Sequence, residues 1–317
     1  MSNLDFDKPI VELEAKINEF RNFGSHRNIN IVPEIKKLEQ KLEKMKADIY
    51  SKLSPWQRVQ IARHPRRPYT LDYIRLMTTE FVELHGDRLF ADDLALIAGF
   101  ARINHRNAVI MGHQKGRDTK ESVMRNFGCA HPEGYRKAIR LMNLAEKFRL
   151  PVVILIDTPG AYPGIGAEER GQAQAIAANL RDMMKIATPI VACVIGEGGS
   201  GGALGIGVAD RVCMLQHAYY SVISPEGCAS ILWRNSIKAP EAANALRLTG
   251  EDLLKFGVVD EIIPEPMGGA HRDPQEAAGN LKKAILKHIK ELSAKPVEEL
   301  LQERYQKFRT IGAFATT

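Results

Sequence analysis

The sequence has few of the residues on which small metal or disulfide modules depend. Its four cysteines, Cys129, Cys193, Cys213 and Cys228, include no C-x-x-C pair, which argues against a zinc ribbon or a disulfide framework and leaves buried thiols as the expectation. No apolar run reaches the roughly 18–20 residues that span a bilayer, and the opening Met1-Ser-Asn-Leu-Asp5 lacks the basic-then-apolar pattern of a secretory signal. A cytoplasmic protein without membrane association is therefore expected. Internal repeats and low-complexity tracts are missing too. Charge is not strongly one-sided: the net value is +6 and is spread along the chain. Its densest basic stretch, Arg63-His-Pro-Arg-Arg67, reads either as a solvated face or as a phosphate contact.

What remains is an ordinary globular composition. In 317 residues, 44% are hydrophobic and 26% charged, enough for one large or two smaller domains with a sizeable core. Ile10, Leu13, Ile17 and Phe20 step by three and four, as do Ile35, Leu38, Leu42, Met45 and Ile49. The spacing predicts two amphipathic helices, the first ending at Gly24, paired as a hairpin arm over residues 1–55. Residues 56–317 then form the main domain. Leu71 to Leu84 reads as helix, Leu94–Ile103 and Ala108–His113 as a β-hairpin, and Gly134–Phe148 as helix.

Two unalternating apolar runs follow, Pro151–Ile156 and Pro189–Ile195, separated by helical spacing at Ala173, Ile176, Ala177, Leu180 and Met183. Such runs suit strands buried on both faces, and the β-α-β unit brings them parallel. It also delivers Asp157–Gly164 and the glycine cluster Gly196–Gly202 to one sheet edge, where ligands of open α/β sheets bind. Short strands at Arg211–Leu215, Tyr219–Ile223 and Val258–Ile263 come next. Helices start at Ser224-Pro225 and follow at Ala239–Leu248 and Glu251–Phe256, and charged helix fills 275–309.

The glycine cluster admits three chemistries. Gly196-x-Gly198-x-x-Gly201 fits a dinucleotide fingerprint, but the acid due about 20 positions later falls near Gln216 and His217. Gly198-x-Ser200-x-Gly202 fits a nucleophile elbow, whose base and orienting acid would have to come from His217 or His271 with Asp210 or Asp260. The third reading needs no side chain: the N–H groups of Gly201 and Gly202, at a strand-to-helix turn, form an oxyanion hole.

Ile156-Asp-Thr-Pro-Gly-Ala-Tyr-Pro-Gly164, Gly196-Glu-Gly-Gly-Ser-Gly-Gly-Ala-Leu204 and Val222-Ile-Ser-Pro-Glu-Gly-Cys-Ala-Ser-Ile-Leu232 closely resemble the α-subunit family of the bacterial-type acetyl-CoA carboxylase carboxyltransferase. Gly112-His-Gln-Lys-Gly-Arg117 and Ala62-Arg-His-Pro-Arg-Arg-Pro-Tyr-Thr-Leu-Asp-Tyr73 resemble it too. The resemblance implies a crotonase-like α/β fold of repeated β-β-α units behind the helical arm. It implies carboxyl transfer from carboxybiotin, borne on the biotin carboxyl carrier protein, to acetyl-CoA, giving malonyl-CoA for fatty acid synthesis. The implied assembly is α2β2 with a β subunit that carries the zinc ribbon, working beside biotin carboxylase in an ATP-binding carboxylase, with no metal in this chain and no DNA partner.

Carried over by motif, Gly201, Gly202, Gly160 and Ala161 would supply a backbone hole for the biotin ureido oxygen. Tyr162, Pro163, Gly164, Gly198, Gly199 and Ser200 would shape the biotin pocket. Lys115, Arg117, Arg63, Arg66 and Arg67 would meet CoA phosphates or the partner. The ureido nitrogen left after decarboxylation would itself take the acetyl-CoA proton, so no protein base is implied. Rival readings are a stand-alone acyl-CoA hydratase or isomerase using Glu197 as acid/base, a Clp-type peptidase using Ser200, and a scaffold whose partner does the chemistry.

Overall fold

The computed structural model describes residues 4–27 and 32–312, the side chains of 23–27 excepted. An eight-stranded sheet lies at its centre. β1 (Glu80–Glu83), β2 (Leu96–Ile103) and β3 (Arg106–His113) pair antiparallel with one another, and β3 pairs parallel with the next strand. β4 (Val152–Thr158), β5 (Ile190–Gly199) and β6 (Arg211–Leu215) follow in parallel, β7 (Tyr219–Ser221) pairs with the far end of β5, and β8 (Glu261–Ile263) closes the order beside β6. Every residue of β4 and β5 is buried, as their unalternating sequences predict for strands covered on both faces.

Helices cover this sheet where the apolar spacing places them. Pro132–Lys147 buries Tyr135, Ala138, Leu141, Met142 and Ala145. Gln172–Met183 is the crossover between β4 and β5. Pro225–Trp233 starts at Ser224, whose hydroxyl accepts from the Gly227 N–H at 3.1 Å, a side-chain cap on a first-turn donor.

The arm consists of Lys8–Arg27 and Val32–Tyr50, so the first helix runs past Gly24; the loop expected between them falls at 28–31, outside the described residues. Ile10, Leu13, Ile17, Leu42, Tyr50 and Leu53 form a small core of their own that Ile61 joins. Arg272, just before helix Pro274–Leu292, donates to Glu14 at 3.0 Å and to Asp7 at 3.1 Å and so ties this hairpin to the rest of the chain.

Three expected elements differ. Of Leu71–Leu84, only Thr70–Met77 is helix, and Glu80–Glu83 is strand β1. The hairpin edge offers unpaired backbone there, and Gly99 lets β1 approach, since a Cβ at Gly99 would lie 2.2 Å from the Val82 carbonyl oxygen. Charged helix over 275–309 divides into Pro274–Leu292 and Val297–Arg309, parted by Pro296, which cannot continue a helix. The glycine cluster also stays extended as far as Gly199 instead of turning at Gly196.

Candidate functional site

That extension has a cause in Asp157. Its carboxylate Oδ1 accepts the Glu197 N–H at 2.9 Å and lies where a Cβ of Gly196 would be, 2.4 Å away. The β4–β5 register shifts here, from Ile156 opposite Val194 to Thr158 opposite Gly198. β5 thus bends around a carboxylate and carries its glycines over the end of β4. Gly198 packs against the Tyr220 ring and Gly199 against the Pro159 carbonyl, so these two shape the bend.

Helix Ser200–Leu204 starts at the end of the bend, with no side-chain cap from Gly199. Gly201 and Gly202 lie in its first turn, whose N–H groups have no acceptor inside the helix. Gly202 meets the loop after β4 directly: a Cβ there would lie 2.4 Å from the Gly160 carbonyl carbon and 2.5 Å from the Ala161 nitrogen. A Cβ at Gly160 would meet nothing within 4 Å, and one at Gly201 only Ile176 Cδ1 at 3.7 Å. The Gly160 N–H is already engaged by the Thr158 hydroxyl at 3.1 Å, whereas no described residue accepts from Ala161. Ala161 N–H, not that of Gly160, is therefore the available donor of that loop. Tyr162 stacks on His131 with ring centroids 4.2 Å apart and covers Gly164, and Pro163 is exposed.

Buried ion pairs hold the bend. Lys115 Nζ donates to Asp157 Oδ1 and Glu197 Oε1, each at 2.7 Å. Arg63 Nε donates to Glu197 Oε2 at 2.7 Å, the Tyr219 hydroxyl donates to the same oxygen at 2.6 Å, and Arg63 also pairs with Glu226. Burial alone would raise the Glu197 carboxyl, but Lys115 and Arg63 outweigh it and hold the group at about 2. A carboxyl depressed in this way contributes stability above its unfolded value and loses it as pH falls toward 2. Burial, then Lys115, lowers His113 to about 3, against the opposing pull of the Gly202 backbone, so a neutral imidazole lies next to the turn.

The rival chemistries lose their parts. Glu197, ionised and held by three side chains, is no general base at neutral pH. Ser200 is exposed at φ 50° and borders an apolar cavity of about 340 Å³ with Leu204, Tyr220 and Val222 among its walls, and no histidine or carboxylate lines it. Asp210 is committed to Arg304, Asp260 pairs with Lys307, His271 stacks on His64, and His217 lies against Tyr50.

The basic residues divide. Arg67 is 0% exposed and forked onto Glu265 at 2.7 and 2.8 Å, with its Nε on the Ile195 carbonyl. Arg67 and Lys115 therefore face inward and brace the bend, and Arg63, 29% exposed, is committed to Glu197 and Glu226, where the resemblance implies contacts to CoA phosphates or the partner. Arg66 and Arg117 remain at the surface. Sequence reasoning missed Asp157, Tyr219 and the ionic role of Glu226, because the charge pairing joins residues 22–163 positions apart.

Lys115→Met tests the brace. Without the ammonium, the carboxylates of Asp157 and Glu197 face each other, and like charge raises the carboxyl pKa of the pair. Turnover at neutral pH should fall about 10- to 100-fold and partly recover toward pH 5–6, where one carboxyl takes a proton. A variant with wild-type turnover, or one whose loss is the same at every pH, would show that the ion pairs do not set the bend.

A mixed sheet with a backbone-lined turn at its carboxyl edge, crossed by the loop of the preceding strand, is the arrangement of the crotonase-like α/β fold. Similar solved structures include transcarboxylase 12S, with a TM-score of 0.59 and 22% identity over 74% of this chain and 44% of that one. A Pseudomonas malonate decarboxylase hetero-tetramer also has a TM-score of 0.59, with 14% identity over 74% of this chain and 91% of its own. A family profile described as acetyl co-enzyme A carboxylase carboxyltransferase-like matches residues 3–312. The acetyl-coenzyme A carboxylase carboxyl transferase subunit alpha of Methylococcus capsulatus is 59% identical over 98% of this chain and 97% of that one. Its counterpart in Thioalkalivibrio sulfidiphilus is 58% identical over 98% of both. The chain belongs to the acetyl-CoA carboxylase carboxyltransferase α-subunit family. It is accordingly one subunit of a biotin-dependent carboxyltransferase, with a β subunit as partner.

Proposed function

We propose that the turn at Gly201-Gly202 and the Gly160-Ala161 peptide form a single backbone hole that holds the ureido oxygen of biotin during carboxyl transfer to acetyl-CoA. The observation that carries this reading is the contact of Gly202 with the Gly160-Ala161 peptide, close enough that no side chain fits between. Donors from two loops then converge on one point, and Gly160 and Gly201 leave the approach open. Carboxybiotin supplies the carboxyl group and, at its ureido nitrogen, the base.

This chain's residues bind and orient. The N–H groups of Gly201, Gly202 and Ala161 favour negative charge on the ureido oxygen, and fixed dipoles of this kind need no reorganisation as charge develops. Tyr162, held by His131, walls the pocket, and Lys115, Asp157 and Glu197 keep β5 bent. The thioester end of the reaction falls to the β subunit. The reading extends to an α2β2 assembly in the cytoplasm, to the biotin carboxyl carrier protein as donor and to biotin carboxylase as the upstream enzyme, in malonyl-CoA supply for fatty acid synthesis. ATP binding, which the resemblance attaches to the whole carboxylase, is not carried to this chain.

Biotin-dependent decarboxylation of malonyl-CoA, measured with this chain alone and with a β subunit, tests the division of labour. Activity is expected only from the pair. Turnover by the isolated chain, or none from the pair, contradicts it.

A further inference from the structure

Beside the braced site lies a second, basic depression that the bend does not use. Arg66, Arg75 and Arg117 line a pocket of about 260 Å³, together with Pro68, Asp72 and Pro274. Arg117 is fixed there. Its guanidinium donates to the carbonyls of Pro65 and Arg67 at 2.9 Å each, pairs with Asp72, and lies 3.9 Å over the Tyr69 ring. Arg66 and Arg75, in contrast, are exposed, and neither guanidinium makes a hydrogen bond or ion pair with a described residue. Three guanidinium groups against the one carboxylate of Asp72 leave the pocket with surplus positive charge.

The loop bearing Arg66 is held on both sides. Arg63 is tied to Glu197 and Glu226, and Arg67 is buried on Glu265, so Arg66 projects from a fixed backbone. Pro274, the first residue of the 19-residue helix Pro274–Leu292, closes the pocket wall. Planar, permanently charged forks around one small cavity match a phosphate group better than a carboxylate of single charge.

Position supplies the rest. Arg117 follows Lys115 by two residues, which span at most roughly 7 Å of backbone, and Lys115 reaches Asp157 and Glu197 at the bend. Arg117 thus ties the pocket to the same short stretch of chain that braces the bend. A CoA ester carries a phosphate monoester and a diphosphate well removed from its reacting thioester, as this arrangement requires.

We propose that Arg66, Arg75 and Arg117 form a phosphate subsite for the acyl-CoA substrate, a proposal that rests on the carboxyltransferase reading above. Arg66 and Arg75 supply the free charge and Arg117 the fixed fork. The subsite contributes to holding the substrate and not to the chemical step, so its loss appears in KM.

The test uses the assembled α/β enzyme with acetyl-CoA and 3′-dephospho-acetyl-CoA. Removing two charged hydrogen-bonding groups should raise the KM for acetyl-CoA about 10- to 100-fold in Arg66→Ala/Arg75→Ala, with kcat little changed. The variant should also lose most of the wild-type preference for the 3′-phosphorylated substrate. Inorganic phosphate should compete with acetyl-CoA in the wild type and much less in the variant. An unchanged KM, or an equal loss for both substrates, overturns the proposal. So does a variant that loses inhibition by a nucleic acid but keeps the 3′-phosphate preference, which would make the pocket a polyanion surface. Equilibrium dialysis of CoA against dephospho-CoA needs no turnover, and so separates failure of this subsite from failure of the biotin hole.

Discussion

Gly202→Val should abolish carboxyl transfer while leaving the protein folded and able to assemble. A Cβ at this position would overlap the Gly160 carbonyl carbon and the Ala161 nitrogen, at 2.4 and 2.5 Å, so the two loops must part to admit any side chain. Both are backbone, and neither can swing aside as a flexible side chain would. The donors would no longer converge. Loss of one oxyanion donor typically costs 10²–10³-fold in kcat, and separating two loops disturbs more than one donor, so a fall of at least about 10³-fold is expected. Gly201→Ala is the control, because a Cβ there meets only Ile176 Cδ1, at 3.7 Å; it should keep most of the activity. Wild-type rates in Gly202→Val, with the β subunit bound, would rule out the hole.

The largest loss of stability is expected far from this turn, at Arg304. This side chain is 1% exposed and donates to Asp210 at 2.7 and 2.8 Å, to the carbonyls of Met183 and Ile186 at 2.8 Å, and to that of Thr188 at 3.0 Å. Asp210 in turn accepts the Ile190 N–H at 2.7 Å. One guanidinium thus joins the final helix to the end of the crossover helix and to the starts of β5 and β6. Arg304→Met leaves a buried carboxylate and three carbonyls without their donor. Breaking a buried pair from one side costs about 3–5 kcal/mol, which in a protein of this size lowers Tm by roughly 5–8 °C. Thermal unfolding followed by circular dichroism would measure it. A change within about 2 °C would mean that water replaces the guanidinium at little cost. Arg304→Lys, which keeps the charge but loses the fork, should fall between the two.

How much of this was legible in the sequence depends on the range of the interaction. The β-hairpin, the two buried parallel strands and the crossover helix follow from local periodicity, and the structure has them within a few residues of the expected ends. The sequence of Glu80–Glu83 alone reads as helix, and it becomes strand β1 only by pairing with an edge that forms later in the chain. The convergence of Gly202 with Gly160-Ala161 follows from the β-α-β unit. Its geometry does not, because the bend depends on Asp157 entering the space left by Gly196. The ion-pair partners of Arg63, Lys115 and Arg67 are hidden from the sequence for the same reason. A basic residue in sequence does not reveal that its partner is a carboxylate beneath the site.

The most direct test of the backbone hole is the carbonyl vibration of biotin itself. Free biotin labelled isotopically at the ureido carbonyl, bound to the α/β complex, can be followed by isotope-edited infrared difference spectroscopy. Hydrogen bonds from Gly201, Gly202 and Ala161 should polarise that carbonyl and move its stretch to lower frequency than in water, and Gly202→Val should abolish the shift. A ureido stretch in the wild-type complex unchanged from water would contradict the hole.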